Sequence, residues 1–318
     1  MTETAPFHAE LACGPQDGAA HWLTTADDMR IRMGFWSRDA ERGTVLIFPG
    51  RSEYVEKYCR LAADLAGLGF ASVAIDWRGQ GLAGRLHANR ALGHVDSFAD
   101  YQTDADAVLA EVRRLGLPEP YYLIGHSMGG CIGLRSLLNG LEVEAAAFTA
   151  PMWGILMAPA LRPIAWTLSS VSRPFGFGHV FAPGQVPEPY VSRVTFEENH
   201  LTSDPEMFAW LRGHLEAEPD LGLGGPSLNW LNQALIEMRA LRAMASPDVP
   251  CMTYLGSREN IVDPEAMRNR MARWPDGRLV ELTGAMHEIL VERPVFRAQV
   301  LSDLDAHFRP HDRQRIAC

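Results

Sequence analysis

The sequence predicts an α/β fold: a mainly parallel, eight-stranded sheet with helices on both faces and a helical insertion over one end. Three observations predict it. Apolar runs at 44–48, 70–75 and 145–150 lack polar alternation, the mark of strands buried on both faces. Segments of helical length and spacing separate these runs, the rhythm of strand–helix–strand units. Finally, Gly125-His126-Ser127-Met128-Gly129 lies between the apolar run at 121–124 and a helix-like continuation through Leu138, so a serine stands at a sharp strand-to-helix turn.

The elements follow in order. Residues 1–43 read as an antiparallel entry, with strand-like alternation at 20–23 and 29–33. The buried strand at 44–48 leads to a helix over about 54–68 and the strand at 70–75. A helix over 98–115 carries Val108, Leu109, Val112 and Leu115 on one face. The serine turn and its helix precede the strand at 145–150, and the chain closes with strands at 251–255 and 278–282 and helices at 264–274 and 293–308.

Residues 152–247 break that rhythm. They hold Trp153, Trp166, Trp210 and Trp230 with Phe175, Phe177, Phe181 and Phe208, interrupted by Pro159, Pro163, Pro174, Pro183, Pro187 and Pro189. This segment is expected to form a largely helical lid, with residues 1–151 and 248–318 as the core. Most of its aromatics are expected to pack among themselves, the default role of large rings.

The balance of 47% hydrophobic and 21% charged residues over 318 positions suits one large core. A net charge of −10 offers no basic surface for nucleic acid, and it disfavours electrostatic attraction to an anionic membrane. Lipid contact is therefore expected to be apolar. Lys57 is the only lysine. Cys13, Cys59, Cys131, Cys251 and Cys318 are scattered, without a C-x-x-C pair, which argues against a disulfide framework or a structural zinc and fits a reducing compartment. Residues 1–10 show no signal-peptide pattern and no apolar stretch is long enough to span a bilayer, so a cytoplasmic protein is expected. No nucleotide fingerprint and no cluster with metal-ligand spacing is present, so no cofactor is expected. Asp76-Trp77-Arg78-Gly79-Gln80-Gly81 reads as a brace for the floor of the site rather than a phosphate loop.

A serine hydroxyl is a poor nucleophile near neutrality and needs a base within reach, itself oriented by an acid. Flanking glycines are required because the turn brings backbone too close for a Cβ at 125 and 129. Ser127 is the candidate nucleophile. His287, directly after the last strand, is the candidate base; His126 is expected to point elsewhere, His94 to be structural, and His307 and His311 to lie in the C-terminal helix and tail. Two carboxylates compete for the acid, Glu259 and Asp263, both in the loop after the strand at 251–255. Asp263, before Pro264, suits a helix cap. By position, the backbone N–H groups of Met128 and Arg51 are the oxyanion donors, with the direction of the Arg51 side chain left open.

Several motifs carry one resemblance. Phe48-Pro49-Gly50-Arg51-Ser52-Glu53-Tyr54, Asp76–Gly81, Gly93-His94-Val95-Asp96-Ser97-Phe98, the Ser127 turn and Gly284-Ala285-Met286-His287-Glu288 resemble the monoglyceride lipase and lysophospholipase branch of the α/β-hydrolases, most of all the bacterial lysophospholipase L2 group. The likeness spans nearly the whole chain and is weakest in the lid and the first twenty residues. It implies the α/β-hydrolase fold and hydrolysis of a carboxylic ester on a single-chain lipid, a lysophospholipid or monoacylglycerol. Pro-Gly-Arg stands where monoglyceride lipases usually have His-Gly, a variant that favours lysophospholipid. The family's acid stands three residues after the glycine that ends the strand, which selects Glu259, a glutamate where aspartate is usual. Rival functions on the same scaffold are a short-chain carboxylesterase or thioesterase, and a serine iminopeptidase that would use Glu197 and Glu198 to hold a substrate amine. Partners are expected to be an acyl ester and, through the lid, the inner membrane face.

Overall fold

The computed structural model describes residues 3–158 and 160–309; Pro159, His311 and Cys318, named above, lie outside them. A nine-stranded sheet runs in the order β1-β2-β3-β5-β4-β6-β7-β8-β9. Its strands are β1 (Glu3–Thr4), β2 (Ala19–Thr24), β3 (Arg30–Trp36), β4 (Thr44–Phe48), β5 (Ala71–Asp76), β6 (Tyr121–His126), β7 (Ala145–Thr149), β8 (Cys251–Gly256) and β9 (Gly277–Leu282). The helices are α1 (Ala9–Ala12), α2 (Cys59–Gly67), α3 (Asp100–Arg114), α4 (Met128–Leu138), α5 (Leu161–Ser172), α6 (Tyr190–Arg193), α7 (Pro205–Ala217), α8 (Leu228–Ala243), α9 (Pro264–Met271) and α10 (Pro294–His307). The eight expected strands are present; the ninth is the two-residue β1, too short to leave a periodic signal, which pairs antiparallel with β2. From β5 to β9 every pairing is parallel.

The pleat explains the two-sided core. Successive side chains of a strand point to opposite faces. Val45 and Ile47 of β4 therefore pack with Leu61 and Leu65 of α2 and Leu304 of α10. Leu46 and Phe48 pack on the other face, with Val108 and Val112 of α3 and Leu134 of α4. The expected helix over 54–68 is split: a 3₁₀ turn at Val55–Tyr58 runs into α2.

The segment between β7 and β8 holds α5 to α8 and is fastened to the rest by its own polar groups. Ser227 caps α8, accepting from the Trp230 amide at 3.0 Å, and its hydroxyl lies 2.8 Å from Nδ1 of His94. Asn229 donates to the Val95 carbonyl at 2.6 Å, and Gly93 bridges to Pro226. The motif at 93–98 thus anchors α8. Of the aromatics in this segment, Trp153, Phe208 and Trp230 are buried, whereas Phe175 and Phe177 face solvent at 70% and 60% exposure.

Candidate active site

Ser127 takes φ +50 and ψ −117, a conformation that side-chain-bearing residues rarely adopt. The surrounding chain holds it there: its amide donates to the Thr149 carbonyl at 3.1 Å, and its carbonyl accepts from Gly130 at 2.9 Å and Met152 at 2.8 Å. The glycine spacing has a visible cause. A Cβ on Gly129 would fall 1.9 Å from the Phe48 carbonyl oxygen, and one on Gly125 would fall 2.9 Å from the Gly129 oxygen. The end of β4 therefore presses directly on the start of α4. Met128 is the first residue of α4, where amides lack intrahelical partners.

The end of β4 is braced from below. Trp77 Nε1 donates to the Pro49 carbonyl at 2.9 Å, and Gln80 Nε2 donates to Gly50 at 3.0 Å. Arg78 is locked on Asp27 and Asp104. The turn at 76–81 is thus a structural support.

The loops after β8 and β9 are stitched together. Ser257 and Arg258 donate their amides to Leu282 and Ala285, each at 3.0 Å. This brings Glu259 to His287: Oε2 lies 2.8 Å from the imidazole Nδ1. The other oxygen, Oε1, accepts from the amides of Ile261 at 2.7 Å and Val262 at 3.0 Å. Burial pushes the Glu259 carboxyl up, but His287 and the two amides outweigh it and hold it below its ordinary value. Asp263 is engaged elsewhere: it caps α9 through the Glu265 amide and pairs with Arg162 at 3.1 Å.

Two cavities meet at Ser127. One, of about 450 Å³, is lined by apolar side chains including Met152, Ile155, Leu161, Ile164 and Leu168. The other, of about 310 Å³, has a mixed lining, with His287, Arg193 and Glu188 set among apolar side chains such as Leu201, Leu211 and Leu223. Ser127 and Arg51 line both. Arg51 donates to the Gly224 carbonyl at 2.8 Å, lies 5.7 Å from the Trp230 ring, and has no ion pair among the described residues. Burial pushes its guanidinium down to about 10. Glu197 and Glu198 are exposed and line neither cavity.

Sequence spacing gave no sign of one further group. Glu53, His126 and Glu288, all buried, place ligand-type atoms within 4.8 Å of one another. A metal is not needed to bind them: the Lys57 ammonium bonds both carboxylates, reaching Glu288 Oε2 at 2.6 Å and Glu53 Oε1. His126, expected to point away, is buried with its ring centroid 5.0 Å from that of His287. Glu53 follows β4, His126 ends the adjacent β6, and Glu288 lies in the loop after β9, three strands away, so no local pattern announces them. Cys131, just behind Ser127, is buried, and burial pushes its thiol well above its ordinary value, so it is a packing residue.

The family description "Serine aminopeptidase, S33" (Hydrolase_4) matches residues 39–294. The chain is 30% identical over 304 residues to lysophospholipase L2 of Escherichia coli K12, covering 91% of this chain and 87% of that protein. It is 28% identical over 272 residues to the probable lysophospholipase L2 of Haemophilus influenzae, covering 85% and 84%. A soluble variant of monoglyceride lipase from Saccharomyces cerevisiae, solved with a substrate analogue, superposes with a TM-score of 0.69 at 20% identity over 97% of this chain and 96% of that one. That likeness bears on the fold, which is the α/β-hydrolase fold.

Proposed function

Because the chain belongs to the Hydrolase_4 family (serine aminopeptidase, S33), we propose that it is a serine hydrolase cleaving the carboxylic ester of a single-chain lipid, a lysophospholipid or a monoacylglycerol. The position of Ser127 carries this reading: it stands where an apolar cavity suited to an acyl chain meets a second cavity whose mixed lining sets Arg51, Glu188 and Arg193 among apolar side chains, suited to a headgroup.

In this reading Ser127 is the nucleophile, His287 the base and Glu259 the acid. With Nδ1 of His287 bonded to a carboxylate, the imidazole keeps its proton there and offers Nε2 to the serine. Ser127 Oγ attacks the acyl carbon while Nε2 takes its proton, and the amides of Met128 and Arg51 stabilise the oxyanion. The bond to the glycerol oxygen then breaks as His287 returns the proton to that oxygen. Water, deprotonated by His287, attacks the acyl-enzyme; the fatty acid leaves and Ser127 is regenerated.

Residues 152–247 act as the lid. Leu161 and Ile164, 53% and 60% exposed, also line the apolar cavity, so the outer face of α5 is continuous with the proposed acyl site. This face is the proposed contact with the inner membrane surface. No helix among the described residues is long and apolar enough to cross a bilayer. Free Cys59, Cys131 and Cys251 fit a reducing, cytoplasmic setting.

A fluorophosphonate probe tests the nucleophile. The adduct is expected on Ser127 and absent from Ser127→Ala, which also loses lysophosphatidylcholine hydrolysis while keeping its melting temperature. An adduct on another residue, or near wild-type turnover by Ser127→Ala, overturns the assignment.

A further inference from the structure

Lys57 is the one lysine among the chain's 29 lysines and arginines, and it is 8% exposed. Its ammonium lies between Glu53 and Glu288. Each of these carboxylates, and the histidine beside them, is tied to a different part of the proposed machinery. Glu53 accepts the Gly50 amide and the Tyr58 hydroxyl on Oε2, so it grips the chain one residue before Arg51. Glu288 follows His287 directly, and its amide donates to the Leu201 carbonyl at 2.7 Å. His126 precedes Ser127; its Nε2 lies 3.3 Å from Glu288 and 3.5 Å from Glu53, while Nδ1 lies 3.0 Å from the Thr149 carbonyl.

We propose that Lys57 is a positioning residue: its ammonium, through Glu53 and Glu288, fixes the oxyanion strand end and the His287 loop relative to each other and to Ser127. The inference rests on the serine-hydrolase reading above.

The charges support it. Burial disfavours the Lys57 and His126 cations, but the two carboxylates outweigh it and lift both above their ordinary values. Glu288 is pushed up by burial, yet Lys57 and His126 hold it well below its ordinary value. Two buried carboxylates thus face an ammonium and an imidazole whose protonated forms they favour. Without the ammonium, Glu53 and Glu288 repel across a low-dielectric gap, and the loops that carry them have reason to part. An arginine is a poor substitute, because its planar fork is larger than a point charge held between two oxygens.

A merely structural role and a positioning role predict different outcomes. Removing one partner of a buried ion pair destabilises in its own right, so kcat is compared well below the melting temperature of each variant. Lys57→Ala and Lys57→Met are compared with wild type on a soluble p-nitrophenyl ester, with a chelator present so that no divalent ion fills the vacated acid–histidine set. The expected result is a kcat lowered by about 100-fold in both variants, with KM nearly unchanged, since a small misplacement costs rate rather than binding. Ethylammonium, which can enter from the cavity lined by Lys57 and Ser127, is expected to restore part of the lost kcat in Lys57→Ala. Tetramethylammonium, with no N–H to donate, is expected to restore none. Wild-type kcat in either folded variant, a loss confined to KM, or equal response to both ammonium ions overturns the proposal. Lys57→Met, which fills the volume, carries the kcat test if Lys57→Ala does not fold. Fluorophosphonate labelling of wild-type Ser127 reports separately on the parent reading.

Discussion

His287 and Glu259 stand 2.8 Å apart, Nδ1 to Oε2, and the second carboxylate oxygen is held by two backbone amides. The carboxylate therefore cannot turn without leaving the Ile261 and Val262 N–H groups unpaired, and the imidazole has one favoured tautomer. Glu259→Gln keeps the shape but lets the amide nitrogen face Nδ1, which reverses the tautomer. The expected loss in kcat is on the order of 10⁴-fold, measured on any ester the wild type turns over.

The same pair sets a pH dependence. The Glu259 carboxyl is held below its ordinary 4.5, so its contribution to stability is complete above that value and is lost as pH falls through the lower, folded-state value. Thermal melts should show wild type more stable than Glu259→Gln near neutrality. The gap should close as the medium is acidified below the ordinary carboxylate range. A gap that widens on acidification contradicts the sign.

Two glycine substitutions should differ in sign. Gly129→Ala drives a methyl against the Phe48 carbonyl, where 1.9 Å leaves no room, and should cost about 3 kcal/mol or more. Gly213, inside α7, has nothing within 4 Å of an added methyl, so Gly213→Ala should stabilise by up to about 1 kcal/mol. Urea unfolding of the two variants checks both.

The Arg51 guanidinium, without an ion pair among the described residues and facing both cavities, is placed to meet a headgroup phosphate. Arg51→Met keeps the backbone amide. It should lower kcat/KM about tenfold for lysophosphatidylcholine, the worth of one hydrogen bond to a charged group, and much less for monoacylglycerol. Equal losses on the two substrates exclude a phosphate contact.

Phe175 and Phe177 are exposed and line neither cavity at Ser127. Phe175→Asp with Phe177→Asp should weaken sedimentation with phosphatidylcholine vesicles while leaving p-nitrophenyl butyrate turnover intact. Unchanged vesicle binding removes the loop after α5 from the membrane contact.

What could be read from sequence was what short range determines. The turn at Ser127 was legible because glycine at 125 and 129 answers to contacts made within one strand–turn–helix and the end of β4. Asp263 was legible as a cap because Pro264 follows it. The placement of Glu259 against His287 came from chain order and from the family's positional rule, since both loops leave adjacent parallel strands. The Lys57 cluster was not legible: Lys57 and Glu288 are 231 positions apart, and their meeting depends on the loop after β9 reaching back across the sheet to the ends of β4 and β6. The pairing also hid the place of His126, because a residue just before a sharp turn gives no clue to what another strand brings beneath it.

Ser127 is proposed to open onto an acyl compartment and a headgroup compartment. Hydrolysis of p-nitrophenyl esters from acetyl to palmitoyl, run with lysophosphatidylcholine and monoacylglycerol for wild type and Ser127→Ala, tests it most directly. The expected result is kcat/KM rising with chain length, turnover of at least one of the two lipids, and loss of all activity in Ser127→Ala. Activity confined to acetyl and butyryl esters, with neither lipid cleaved, would contradict it.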